Sequence, residues 1–123
     1  MSKTVFITGS SRGIGAAAAQ IFYKNGYNVV INYNNSESDA LALAEMLPGS
    51  LVLKGNVSNE KDVQTMFEKA IAHFGKIDVL INNAGISHIG LLSDMTLAEW
   101  NHVLQTNLTS VFCCCKHISV LYC

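Results

Sequence analysis

Charge imbalance is the first thing missing from this chain of 123 residues. Eight Lys and Arg face nine Asp and Glu, a formal net charge of −1, and only 14% of residues are charged. No basic field is available to hold a nucleic acid or an anionic membrane surface. Long hydrophobic runs are missing too. Half of the residues are apolar, yet no stretch approaches the roughly 20 needed to span a bilayer. The chain enters an apolar strand almost at once, without the pattern of a signal peptide. Cysteine is absent before Cys113, and Cys113, Cys114, Cys115 and Cys123 are the whole supply. Three are consecutive, and successive side chains on a helix point about 100° apart, so a shared metal is disfavoured. The plain expectation is small, buried, reduced side chains. These features describe a cytoplasmic protein with one core and one domain.

What is present is a regular alternation of strand and helix patterns. Thr4 to Ile7 reads as a strand, and Gly15 to about Lys24 as a helix closed by Gly26. Asn28 to Asn32 is a second strand. Ser36 to Asp39 has the spacing of a capping box, opening a helix with Leu41, Ala44, Met46 and Leu47 that stops at Pro48-Gly49. Ser50 to Lys54 is a third strand. Ser58 is the expected cap of a third helix, whose apolar residues Val63, Met66, Phe67, Ala70, Ile71 and Phe74 share one face and which ends at Gly75. Asp78 to Asn82 is a fourth strand, and a loop from Asn83 to Met95 follows. Thr96 to Glu99 forms another capping box, and the helix it opens is expected to reach about Cys115. Short apolar strands alternating with helices predict an α/β fold. The expected architecture is a Rossmann-type, doubly wound parallel sheet of about four strands, order 3-2-1-4, with helices on both faces. It would occupy residues 1–116 as an incomplete dinucleotide-binding domain, with 117–123 as an atypical tail.

The turn Thr8-Gly9-Ser10-Ser11-Arg12-Gly13-Ile14-Gly15 joins the first strand to the first helix. Glycines there permit positive φ and a close backbone approach, and a helix start offers free N–H groups to a diphosphate. A P-loop is disfavoured, because Ala16 stands where its lysine would be. Gly13 to Ala18 fits the G-x-G-x-x-A form of the dinucleotide fingerprint. A tight turn without a ligand is the plainer alternative. In the expected sheet this turn meets Asn32 to Asn34, Asn56-Val57 and Asn82 to Ile86 beyond the strand ends. An NAD site usually carries an acid after the second strand; this chain has Asn32-Tyr33-Asn34-Asn35-Ser36. Arg12 and Asn34 instead suit a 2′-phosphate, which predicts NADP(H) ahead of NAD(H).

The fourth helix has an apolar stripe at Trp100, Val103, Leu104, Leu108, Val111 and Phe112, with Asn107 in its middle. A polar amide facing a core costs free energy unless its bonds are made. Two readings stand: Asn107 bonds a nearby backbone group where the helix is distorted, or it belongs to an active site.

Taken together, Thr8-Gly9-x-x-x-Gly13-x-Gly15, Asn82-Asn83-Ala84-Gly85 and Asn107 in this order resemble the short-chain dehydrogenase/reductase family, over the chain up to about Lys116. The wording of the glycine turn and Asn56-Val57 look most like the 3-oxoacyl-(acyl-carrier-protein) reductases within it. The resemblance implies a cytoplasmic, NADP(H)-dependent oxidoreductase of fatty acid biosynthesis, acting on a small-molecule or acyl-carrier-bound carbonyl, with homo-oligomeric full-length relatives. It implies that Gly9, Ser11, Arg12, Gly13, Ile14 and Gly15 hold the phosphates. Asn34 would lie near the 2′-phosphate and Asn56 and Val57 near the adenine. Asn83, Ala84 and Gly85 would lie by the nicotinamide ribose, and Asn107 in the catalytic proton relay. Asn82 would tie the fourth strand to its neighbours.

The family continues with a serine and a Tyr-x-x-x-Lys motif, which these residues lack. Tyr23-x-x-x-Tyr27 is not that motif, and no lysine follows Tyr122. The expectation is a chain inactive by itself, with a non-catalytic nucleotide-binding module as the alternative. A loop histidine, His88, is the one imaginable substitute proton donor, though solvation is its plainer lot. The fourth strand would be an exposed apolar edge and part of the fourth helix uncovered, leaving the isolated chain marginal and aggregation-prone.

Overall fold

A computed structural model of the protein describes residues 2–87 and 89–122. Four strands, β1 (Thr4–Ile7), β2 (Asn28–Tyr33), β3 (Leu51–Lys54) and β4 (Val79–Ile81), form one parallel sheet in the order β3-β2-β1-β4. The helices between them are α1 (Gly13–Lys24), α2 (Glu37–Met46) and α3 (Glu60–Phe74). After β4 come a 3₁₀ turn at Leu92–Asp94, α4 (Leu97–Leu104), a π turn at Gln105–Thr109 and α5 (Ser110–Tyr122). The expected fold and strand order are those observed.

Both faces of the sheet are covered, and the period of two along each strand divides its residues between them. Val5, Ile7, Val29 and Ile31 pack with Ala19, Ala40, Leu43 and Leu47 under α1 and α2. Phe6 and Val30 pack with Val63, Met66, Phe67, Ala70, Cys113 and Cys114 under α3 and α5. The rings of Phe6 and Phe67 meet edge to face, their centroids 4.9 Å apart. Glu60 at the start of α3 receives Lys116 Nζ at 2.6 Å and lies 3.2 Å from His117 Nε2, an exposed link to α5. Among the described residues no helix is long and apolar enough to cross a membrane.

Helix ends differ from expectation where two capping residues compete. Asn59, not Ser58, caps α3: its Oδ1 accepts the Asp62 amide at 3.0 Å. The Ser58 hydroxyl is taken by Asn56 Oδ1 at 2.6 Å. Ser36 makes no side-chain cap at α2, whose buried face is Ala40 and Leu43, with Leu41 and Met46 exposed. The box at Thr96 and Glu99 is complete. Helix α1 starts at Gly13, two residues earlier than expected. The last helix runs through Lys116 to Tyr122.

The stripe on α4 and α5 does not face the core. Trp100, Leu104, Leu108 and Phe112 are exposed, while Ser110, Cys113 and Cys114 turn inward against α3. Only the part of this long helix beyond the π turn rests on α3, and the opposite face is uncovered, as β4 is at the sheet edge. Cys113 and Cys114 are buried and reduced; burial, helped by its two neighbouring thiols, pushes the Cys114 thiol up to about 12. Cys115 is exposed, against expectation. Cys123 lies outside the described residues.

The edge strand is fastened at its start by Asp78. Its Oδ2 accepts the Thr4 amide at 2.7 Å, and its own amide donates to Thr4 O at 2.8 Å. The Thr4 amide, aided by Lys76 and opposed by burial, holds this carboxyl below the usual range. A depressed native pKa contributes stability that is complete above the ordinary value of about 3.9 and lost as pH falls through the native value. Asp78→Ala is expected to cost about 1 kcal/mol at neutral pH. The gap to the wild type should narrow in urea titrations carried from about pH 6 to about pH 3.

Candidate functional site

Polar side chains lace the carboxyl ends of the four strands together. Asn32, at the end of β2, is 2% exposed. Its Oδ1 accepts the Gly9 amide at 2.9 Å, and its Nδ2 donates to Gly55 O at 3.2 Å. One amide group thereby joins the loops after β1 and β3. Ser10 completes the β1–β2 link: its hydroxyl donates to Ile7 O at 2.7 Å and accepts the Asn32 amide at 3.0 Å. Thr8 serves the other side. Its Oγ1 accepts the amides of Asn83 and Ala84 at 2.9 and 3.0 Å. Asn83 Nδ2 returns bonds to the carbonyls of Thr8 and Gly9 at 3.2 and 3.1 Å. The expectation that Asn82 ties β4 to its neighbours is corrected here. Asn83 does so; Asn82 is exposed, its Nδ2 lying 3.6 Å from Cys115 Sγ. Strand alternation turns Asn83, not Asn82, toward β1.

Two glycines make this lacing sterically possible. Gly9 has φ +62°, and a Cβ on it would stand 2.8 Å from Ala84 Cα. At Gly15 a Cβ would stand 2.5 Å from Asn83 Nδ2 and 2.8 Å from Gly9 O. Only glycine allows the start of α1 to press against the loop after β4.

The strand ends so held enclose a cleft of about 400 Å³. Gly9, Ser11, Arg12 and Gly13 line it after β1; Asn34, Asn35 and Ser36 after β2; Gly55, Asn56 and Val57 after β3; Asn83, Ala84, Gly85 and Ile86 after β4. Every expected site residue lines this cleft except Ile14, Gly15 and Asn107. The Ile14 side chain is 83% exposed, and Gly15 packs on Asn83. His102 and Thr106 also line the cleft and were not foreseen as site residues, since only the placement of α4 brings them there. His88 lies outside the described residues.

No carboxylate lines the cleft among the described residues, and Arg12 has no acidic partner. The acid nearest in the chain to Asn56, Asp62, is turned to its amide at 2.9 Å. Arg12 begins α1 without a side-chain cap, so the first amides of that helix face the cleft end unpartnered. The arrangement presents positive potential and amide donors to a phosphate-bearing ligand.

Asn107 sits in the π turn. Its Oδ1 accepts the Ile86 amide and its Nδ2 donates to Ile86 O, each at 2.7 Å. Of its two readings, the backbone-bonding one at a distorted turn is what the geometry displays. This pair fixes the loop after β4 against the helix, and Asn107 Oδ1 stands 3.3 Å from where a Gly85 Cβ would be.

Residues 3–121 match the family described as short chain dehydrogenase. The chain belongs to that family. It is 38% identical, over 97% of its length and 50% of the relative, to a 3-oxoacyl-(acyl-carrier-protein) reductase of Staphylococcus epidermidis. A reductase of the same name from Synechocystis is 39% identical over 98% of this chain and 50% of its own. Among solved structures, a short chain dehydrogenase from Bacillus anthracis superposes with a TM-score of 0.92 at 35% identity, covering 98% of this chain and 51% of that one. The chain spans about half the length of the curated relatives it matches. As a short-chain dehydrogenase it is an oxidoreductase by family, one whose members imply a nicotinamide cofactor.

Removing the amide that ties three strand ends should be costly, since it orphans a buried donor and a buried acceptor. Asn32→Ala is expected to lose about 2–4 kcal/mol by urea unfolding. Gly9→Ala should lose at least about 2 kcal/mol, because both its φ and the Ala84 contact resist a side chain.

Proposed function

We propose that the cleft binds NADP(H), and that the whole protein reduces a ketone such as a 3-oxoacyl thioester carried on an acyl carrier, in the cytoplasm and in fatty acid synthesis. The observation that carries the cofactor choice is a cleft with Arg12 and without a carboxylate. An acid after β2 would select the ribose 2′-hydroxyl of NAD; an arginine instead attracts a 2′-phosphate.

Each polar residue has a free atom to offer. The first amides of α1 and those of the turn after Gly9 hold the diphosphate, including the backbone of Ile14. Arg12 and Asn34 hold the 2′-phosphate. Asn56 uses its Oδ1 on Ser58 and its backbone amide on Asp62, leaving Nδ2 for a ring nitrogen of adenine. Asn83 uses Nδ2 on the first loop, leaving Oδ1 to accept from a ribose hydroxyl. Ala84 and Gly85 give a low wall beside that ribose, and Asn107 keeps it in place through Ile86. When bound, the nicotinamide supplies the hydride.

The reaction also needs an acid for the carbonyl oxygen. The sequence has no Tyr-x-x-x-Lys, so these residues by themselves retain the cofactor without turnover, the role of a nucleotide-binding module. NADPH titrated against the chain, followed by calorimetry or by Trp100 fluorescence, is expected to bind more tightly than NADH. Arg12→Ala should weaken NADPH about tenfold and leave NADH nearly unchanged. Failure of folded protein to retain either dinucleotide at about millimolar concentration, or an Arg12→Ala variant with its preference intact, would overturn the proposal.

A further inference from the structure

We infer that His102 is a specificity-determining residue for the adenine end of the ligand, forming the wall of the cleft against which the base is stacked. The inference rests on the dinucleotide reading above. Helices α3 and α5 share one face of the sheet, where Val57, Cys113 and Cys114 belong to a single packed cluster. Helix α4 leads into α5 through the π turn, so His102 and Thr106 stand on that same side of the cleft as Val57.

The opposite side is the end of β2, where Asn34 and Asn35 line the cleft together with Arg12. A ribose whose 2′-phosphate is held there carries its base away from those amides and toward the wall containing Val57. Val57 is 5% exposed, so it offers a small apolar patch rather than a full platform. A purine has two flat faces and a polar edge, and an imidazole can match either. His102 is exposed and makes no hydrogen bond or ion pair among the described residues, so its ring is available. Thr106 is half-buried, and its carbonyl is engaged by Ser110 Oγ, which leaves His102 as the adaptable part of this wall. Tyr33, the other ring lining the cleft, packs into the cluster under α1 and α2 on the far face.

The test uses two probes that divide the dinucleotide. Calorimetric titration with adenosine 2′,5′-bisphosphate reports the adenine end, and titration with nicotinamide mononucleotide reports the other. His102→Ala is expected to weaken the bisphosphate and NADPH about fivefold while sparing the mononucleotide, and His102→Phe to restore most of the loss. Thermal melting should be the same for all three proteins, since the side chain is exposed and unbonded. Equal bisphosphate affinity in wild type and His102→Ala overturns the inference, as does a loss confined to the mononucleotide; NADPH binding by the wild type would then leave the proposed function standing. Wild-type protein that takes up neither NADPH nor the bisphosphate overturns the proposed function and this inference with it.

Discussion

A buried carboxamide between three strand ends is the constraint on which the site depends. Parallel strands end side by side with backbone groups that the sheet no longer pairs, and a buried unpaired amide or carbonyl is expensive. Asn32 answers this with one acceptor and one donor group in fixed relation, taking the Gly9 amide and serving Gly55 O. A carboxylate lacks the donor and a leucine lacks both. The same interaction sets the height of the glycine turn above the sheet, and with it the position of the first amides of α1.

Thr8 and Asn83 repeat the device across β1 and β4, so the cleft floor is a continuous hydrogen-bonded rim. The asparagines divide their labour between scaffold and cleft. Asn83 spends its donor inside the protein and Asn56 spends its acceptor there. What remains toward the cleft is already oriented, so little ordering is left for a ligand to impose. The rim is neutral apart from Arg12, which makes a single cation decisive where a charged rim would dilute it.

Much of this was legible in the residues. The alternation of short apolar strands with helices gave the sheet, because each strand buried on both faces reads as an uninterrupted apolar run. Gly13 and Gly15 marked the first turn for the same reason that they are needed there. Less legible were the features decided by tertiary partners. Ser58 and Asn59 are both good caps by type, and only the demand of Asn56 for the Ser58 hydroxyl selects between them. Asn82 and Asn83 are likewise identical by type, and strand alternation decides which one meets β1. The stripe from Trp100 to Phe112 has a helical period whether or not anything covers it, so periodicity alone pointed it inward. His102 carried no pattern at all; its place follows from the angle at which α4 leaves the loop after β4.

The π turn at Gln105–Thr109 has a consequence for how this helix tolerates change. Such a turn holds one residue more than the α-helical path would. Deleting any one residue between Gln105 and Thr109 would let the segment relax to regular helix, and all that follows would be rotated by about 100° relative to what precedes. Asn107 could then no longer reach both atoms of Ile86 while Cys113 and Cys114 kept their places against α3. Substitutions along this helix are open wherever the side chain is exposed, but its length is not: the phase of two distant contacts is counted in whole residues, and the count admits no error.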